Sequence, residues 1–310
     1  MKTHYLRQIG TLTGLLLLII VFWILSPYFF TLSNLLNIAQ QTVINAIISV
    51  GMTVVIITAG IDLSVGSILA FSGVILGNLL HSNVPLFFSL IIGITIGVII
   101  GVINGAFIAY GRIPPFIATL GMMSIARGAA LLFTGGKPVS NFSSDFRFIA
   151  NGTICKIPFP ILLMIFIYIM THIVLTRTRF GRYVYSIGGN EEASVLSGIN
   201  VKKIKIYVYG ISGMMCGISA IILTSRLNSA QPIAGIMYEL DAIAATVIGG
   251  TSLMGGEGTI IGTFIGAFLM GVLRNGLNIL DISAFIQQII IGSVIIGAVF
   301  IDMMLKKNKK

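Results

Sequence analysis

The stretch QIGTLTGLLLLIIVFWILSPYFFTLSNLLNIAQQTVINAIISVGMTVVIITAGI, residues 8–61, carries no charged side chain. A helix of about 20 residues crosses the roughly 30 Å hydrocarbon core of a bilayer, so this run is too long for one span and holds two. The polar residues Asn34, Asn37, Gln40, Gln41 and Asn45 divide it and predict helices over 9–26 and 43–59. The basic start Met1–Gln8 and the apolar Ile9–Leu25 have the outline of a secretory signal. No small-x-small cleavage site follows and the run is long enough to cross, so it reads as the first membrane helix.

Composition extends this reading to the whole chain. Hydrophobic residues make up 56% of the 310 residues, charged residues 9%, and the mean hydropathy is +1.03. Soluble domains are about a quarter charged, so this chain lacks the means to cover a water-facing surface. Long continuous apolar runs exclude a transmembrane barrel, whose strands alternate over roughly ten residues. The expected fold is all-α: a polytopic membrane protein, one transmembrane domain over residues 1–310. The net charge of +10 resides in membrane-flanking segments. It therefore sets orientation and does not call for nucleic acid.

The remaining spans are predicted near 64–80, 86–110, 115–133, 158–175, 204–224, 240–252, 258–274 and 284–303, making ten, with the short eighth the weakest. The breaks fall at Gly60-Ile-Asp-Leu-Ser-Val-Gly-Ser67, His81–Pro85, Arg112 with Pro114-Pro115, the polar loops Thr134–Pro158 and Ser225–Glu239, and Gly255-Gly256-Glu257-Gly258. With an even span count, one side carries Lys2, Arg7, Arg112, Arg177, Arg179, Arg182, Lys202, Lys203, Lys205 and the four C-terminal lysines. The other carries only Lys137, Arg147, Lys156, Arg226 and Arg274. The positive-inside rule then places both termini and the loop 176–205 in the cytoplasm.

That loop is the longest hydrophilic stretch between two apolar runs. Its middle has the marks of a short helix: Asn190 as N-cap, Glu191 and Glu192 at the positive end of the helix dipole, and Gly198 at the left-handed C′ position. Two turns of capped helix between spans suit a docking piece for a partner.

Helix packing is also visible. Gly93, Gly97, Gly101 and Gly105, and again Gly258, Gly262 and Gly266, recur every four residues and let backbones approach where lipid supplies no hydrophobic drive. Tight packing is the plainer reading of these stripes and a sliding interface the alternative. Broken helices often mark a solute path. The interrupted segments Gly60–Ser67 and Gly249–Gly258, with Asp62, Ser64 and Glu257, qualify as path elements or as cytoplasmic turns. Charge at mid-bilayer costs on the order of 3 kcal/mol on insertion scales. Arg127 and Asp241, with nearby Glu239, are thus candidates for the path. A structural pairing of Arg127 and a helix-capping role of Asp241 are the plainer alternatives. Asn45, Gln231, Asn275 and Asn278 are further polar groups suited to a hydroxylated solute.

No catalytic constellation, metal site or cofactor motif emerges. His4, His81 and His172 lack ligand spacing, Cys155 and Cys216 form no motif, and no Gly-x-x-x-x-Gly-Lys-Ser/Thr phosphate loop is present. A membrane enzyme acting on lipid would need paired carboxylates or a metal cluster, which the sequence does not supply. A carrier working alone is the other alternative.

Three motifs narrow the choice: Gly51-Met-Thr-Val-Val-Ile-Ile-Thr-Ala-Gly-Ile-Asp-Leu-Ser-Val-Gly-Ser67, then Phe180-Gly-Arg-Tyr-Val-Tyr-Ser-Ile-Gly-Gly-Asn190 leading to Ser197-Gly-Ile199, then Glu239-Leu-Asp-Ala-Ile-Ala-Ala-Thr-Val-Ile-Gly-Gly-Thr251. In this order they resemble the permease subunits of bacterial binding-protein-dependent sugar ABC importers, over about Leu25 to Asp302. Ser229-Ala-Gln-Pro232 and Arg226 also look ribose-type, which tilts the choice toward ribose and leaves galactose, xylose or the furanosyl signalling molecule as alternatives.

The resemblance implies a monosaccharide permease of the inner membrane in a homodimeric or pseudo-dimeric pore, with a second permease copy as the expected partner. A cytoplasmic ABC ATPase would bind inside and an extracytoplasmic sugar-binding protein outside. It also implies a Glu-Ala-Ala-x-x-x-Gly element that enters a groove on the ATPase. Glu192-Ala193-Ser194-Val195-Leu196-Ser197-Gly198 matches that spacing with serine in third place, which makes Asn190–Asn200 the expected coupling helix.

Overall fold

The structure is a computed structural model that describes residues 2–307; Met1 and residues 308–310, and with them Lys309 and Lys310 of the topology count, lie outside it. The order of elements is α1 (Lys2–Leu25), α2 (Leu32–Ile57), α3 (Val65–His81), α4 (Leu86–Ala109), α5 (Pro115–Thr134), β1 (Val139–Ser140), α6 (Ser144–Asn151), β2 (Thr153–Ile154) and β3 (Ile157–Pro158). Then come α7 (Phe159–Arg177), α8 (Arg179–Gly189), α9 (Glu191–Leu196), α10 (Val201–Leu227), β4 (Ser229–Ala230), α11 (Tyr238–Ile248), α12 (Ile260–Ile279) and α13 (Ala284–Lys307). Among the described residues, α2, α4, α5, α7, α10 and α12 are long and apolar enough to cross a membrane, and shorter apolar runs lie in α1, α3 and α13. The predicted eighth span is α11, which has only 11 residues.

The first boundary differs from the expected one. Asn34–Asn45 lies within α2, and the break falls at Ser26–Thr31. Pro27 has no N–H to continue a helix and biases Ser26 away from helical backbone. Thr31 then caps α2 by accepting from the Asn34 N–H at 3.3 Å. Asn34 and Asn45 do not break α2 because their side chains find partners across the bundle. Asn34 and Asn275 exchange two amide hydrogen bonds of 3.1 and 3.0 Å.

α2 and α10 form the centre. From Thr42 to Ile57 nearly every residue of α2 is buried. α4 lies against α10 backbone to backbone. A Cβ at Gly105 would come within 2.6 Å of the Ile206 Cα, and one at Gly217 within 2.8 Å of the Ile94 Cα. Gly97, Gly101 and Gly105 of the α4 stripe therefore form a packing seam with contacts too close for any larger residue, while Gly93 faces α3 with ordinary room.

The two ends of the bundle separate as the charge pattern requires. α10 spans about 40 Å at 1.5 Å per residue, with 178–200 at its start. At its far end β4 pairs antiparallel with β1 in the register Val139–Ala230 and Ser140–Ser229. The Ser225 hydroxyl donates to the Phe146 carbonyl at 2.7 Å, and His81 Nε2 lies 2.7 Å from the Ser140 carbonyl. The expected loop 134–158 thus contains α6 and two short strand pairings, packed on a small cluster of Leu76, Phe142, Phe146, Ile221 and Ala230.

Candidate functional site

The site is built from the stretch between α7 and α10. Asn190 has extended backbone, φ −160°, and its side-chain oxygen accepts from the Ala193 N–H at 2.9 Å, satisfying one of the orphan donors of α9. At the other end Gly198 takes φ +79°, a left-handed conformation that an L side chain adopts only with strain. The Ile199 N–H closes back on the Ser194 carbonyl at 3.1 Å. Both predicted caps are in place, and Glu191 and Glu192 occupy the first turn.

α9 buries one side chain, Ser194. Its hydroxyl donates to the Asn190 carbonyl at 2.8 Å and lies 2.8 Å from the Ser186 hydroxyl of α8. Serine in the third place of the pattern therefore faces inward and fastens α9 to α8. The outward face carries Leu196, 89% exposed, with Val195 beside it. Lys205 pairs with Glu191 at 2.8 Å at the surface, where such a pair contributes little.

α8 is the element that the sequence reading missed. Thr178 caps it through the Gly181 N–H at 3.4 Å, and Gly181, Val184 and Ile187 form its buried face. The spacing of Phe180, Val184 and Ile187 is the helical signal that would have found it. Its C-terminal end abuts two turns from distant parts of the chain. A Cβ at Gly188 would land on the Ile57 carbonyl oxygen and 2.5 Å from the Gly256 nitrogen. The Gly256 N–H donates to that same Ile57 carbonyl at 2.8 Å, and the Tyr185 hydroxyl donates to the Gly258 carbonyl at 2.8 Å. Burial pushes the Tyr185 hydroxyl pKa up, keeping it a neutral donor. α8 thus ties α9 to the end of α2 at Ile57, just before the first interruption Gly60–Ser67, and to the second interruption, Gly249–Gly258.

Within the first interruption Asp62 is fully buried and accepts from the Ser64 N–H at 3.0 Å, the Ser64 hydroxyl at 2.5 Å and the Ser212 hydroxyl at 2.8 Å. Asn104 of α4 donates to the Ser64 oxygen at 2.9 Å. Asp62 and Ser64 therefore join the α2–α3 turn to α4 and α10. In the second interruption the Ser252 N–H donates to the Glu257 carbonyl at 2.9 Å, and the Glu257 side chain is half-buried.

Arg127 and Asp241 lie apart from this joint. Arg127 Nη1 donates to the Pro232 and Ala234 carbonyls, both at 2.7 Å. Asp241 does not cap α11. It sits in the first turn, where Arg274 Nη2 donates to both its oxygens at 3.0 and 2.8 Å and Asn45 Nδ2 to Oδ2 at 3.1 Å. Arg274, assigned to an outer loop from the sequence, lies inside α12 as the partner of Asp241.

Long apolar helices around an apolar core that holds scattered hydrogen-bonded polar side chains, with a small capped helix held out at one end, define a multi-pass helical membrane protein. The family described as branched-chain amino acid transport system, permease component, matches residues 34–301, and the chain belongs to that family. It is 46% identical over 310 residues to the ribose import permease protein RbsC of Haemophilus influenzae, covering 99% of this chain and 96% of the relative. The ribose import permease protein RbsC of Bacillus subtilis is 46% identical over 299 residues, 96% of this chain and 93% of the relative. The galactose/methyl galactoside import permease protein MglC of Escherichia coli is 36% identical over 325 residues, 99% of this chain and 97% of the relative. No solved structure matches significantly. The chain is the permease component of an ABC importer, a transport subunit of the inner membrane.

Proposed function

We propose that this chain is the permease of a ribose importer, forming the pathway with a second copy of itself, surrounded by membrane lipid. A sugar-loaded binding protein docks at the end of the bundle that carries β1, β4 and α6. A separate ABC ATPase docks at the other end, where both chain termini also lie, and supplies the ATP hydrolysis. α9 is the coupling helix: Leu196 and Val195 enter the ATPase groove, and Asn190, Glu191, Glu192, Ala193 and Gly198 set its shape and charge.

The observation that carries this reading is the contact of α8 with the end of α2 and with the second helix interruption. A coupling helix on a flexible tether would absorb the motion of the ATPase. α8 is short, packed on one face and in backbone contact with Ile57 at the end of α2 and with Gly255 and Gly256, so a pull on α9 moves the end of α2 and the α11–α12 connection together. Packed elements transmit such shifts because they have discrete arrangements rather than a continuous range.

The test replaces Leu196→Asp and Glu192→Lys in the reconstituted complex. Sugar uptake and ribose-binding-protein-stimulated ATP hydrolysis should fall together while membrane insertion is unchanged. Retention of both activities would refute the reading. Co-purification of an ATPase separates it from a carrier working alone, and stimulation by a galactose-loaded but not a ribose-loaded binding protein would reassign the sugar.

A further inference from the structure

The segment between β4 and α11 enters the bundle without being helical. Ala230 packs on Gly77 near the far end of α3, where a Cβ at 77 would come 3.0 Å from the Ala230 Cβ. Gly235 packs on Gly66 in the first turn of α3, where its own Cβ would come 3.0 Å from the Gly66 Cα. Gly77 and Gly66 are separated by about 16 Å of helix, so residues 230–235 descend by half of a 30 Å hydrocarbon core. α11 starts at that depth, which explains its brevity.

From the rim down to that depth the chain exposes irregular backbone. Gln231 is exposed, Ile233 is 56% exposed and Ile236 is 58% exposed, all on irregular backbone. Non-helical backbone inside a bilayer persists only where protein buries it or where it borders water. Ionisable groups stand beside it. Arg127 of α5 is half-buried and clamps the segment through the Pro232 and Ala234 carbonyls, using only Nη1. Glu239 is half-buried and extends its carboxylate over Gly66. The neighbouring face of α5 is open: Cβ atoms at Gly121 and Gly128 would meet nothing within 4 Å. By contrast, Asp241 is closed in by Arg274 and Asn45, and Asp62 by serines.

We propose that residues 231–239 and Arg127 line the water-filled passage for the solute, with Arg127, Gln231 and Glu239 contacting the hydroxyls of a monosaccharide. This rests on the permease reading above. Guanidinium, carboxamide and carboxylate groups offer planar paired donors and acceptors, which match the vicinal hydroxyls of a sugar. The clamp from Arg127 Nη1 holds the irregular segment in shape, and the rest of the guanidinium remains for solute.

The test uses the assembled importer in proteoliposomes, in a Cys155→Ser background because Cys155 is exposed and Cys216 is buried. A membrane-impermeant methanethiosulfonate reagent should label Ile233→Cys and Ile236→Cys, and leave Ile169→Cys on the apolar outer face of α7 unlabelled. Positions 233 and 236 as silent as 169, both without nucleotide and with ATP trapped, would overturn the proposal. In parallel, Glu239→Gln and Arg127→Lys should lower uptake by roughly tenfold, as expected for one charge-assisted hydrogen bond, while binding-protein-stimulated ATP hydrolysis persists. Unchanged uptake, or joint loss of uptake and hydrolysis in an intact complex, would also overturn it. Labelling does not depend on α9, so failure of the coupling reading appears in the Leu196 variant and leaves this result readable.

Discussion

Gly188 and Gly189 are neighbours of the same type at the end of α8, and the structure assigns them opposite sensitivities. A methyl group at 188 meets backbone: the Ile57 carbonyl oxygen and, at 2.5 Å, the Gly256 nitrogen. Carbon prefers about 3.5 Å to such atoms, so α8 must yield by about 1 Å at the Gly256 nitrogen and by about 2 Å at the Ile57 carbonyl. Overpacking of this kind costs about 1–3 kcal/mol, and these contacts are backbone with no rotamer to change, which puts Gly188→Ala near about 3 kcal/mol. A methyl group at 189 meets nothing within 4 Å and the φ is not positive, so Gly189→Ala is neutral or gains up to about 1 kcal/mol of helix propensity. Thermal unfolding in detergent reads the stability difference. ATP hydrolysis and ribose uptake in proteoliposomes read coupling: Gly188→Ala should hydrolyse ATP with reduced uptake per ATP, and Gly189→Ala should match the unsubstituted protein. Equal behaviour of the two variants would refute α8 as the link between α9 and the bundle.

Other substitutions probe the remaining contacts. Gly198→Ala places a side chain at φ +79° and should cost about 1 kcal/mol, weakening ATPase association without altering insertion, as measured by pull-down. Arg274→Leu leaves Asp241 buried and unpaired; because the guanidinium is 43% exposed, the cost falls below the range for fully buried pairs, at about 2 kcal/mol, and Asp241→Asn in the same chain should restore much of the lost thermal stability. Ser64→Ala removes one donor to Asp62 and the acceptor of Asn104 at a fully buried position, and should destabilise by about 2 kcal/mol in the same assay.

Much of the architecture was legible in the residues. Uncharged runs and the Pro114-Pro115 and Val84-Pro85 breaks placed most helix boundaries within a few residues, because hydropathy and proline act locally. The α9 caps were legible for the same reason: Asn190 and Gly198 act on backbone groups within a few residues. Pairings across the chain were not. Asn34–Asn45 reads as a linker until its partners are known, since Asn275 and Asp241 lie about two hundred residues away. Arg274 reads as a loop cation for the same reason. α8 was overlooked because its basic residues mask a narrow buried stripe of Gly181, Val184 and Ile187.

The sequence by itself determined that the chain is a helical membrane protein, which segments lie at its ends, and that residues 190–198 form a capped helix. Each follows from burial cost or from hydrogen bonds within one or two turns. Only the tertiary structure decided that α8 fastens that helix to the end of α2 and to the second interruption, that Asp241 pairs with Arg274, and that residues 231–237 re-enter the bundle beside Arg127. Those facts depend on backbones meeting across more than a hundred residues, and a contact of that range leaves no periodicity in the chain.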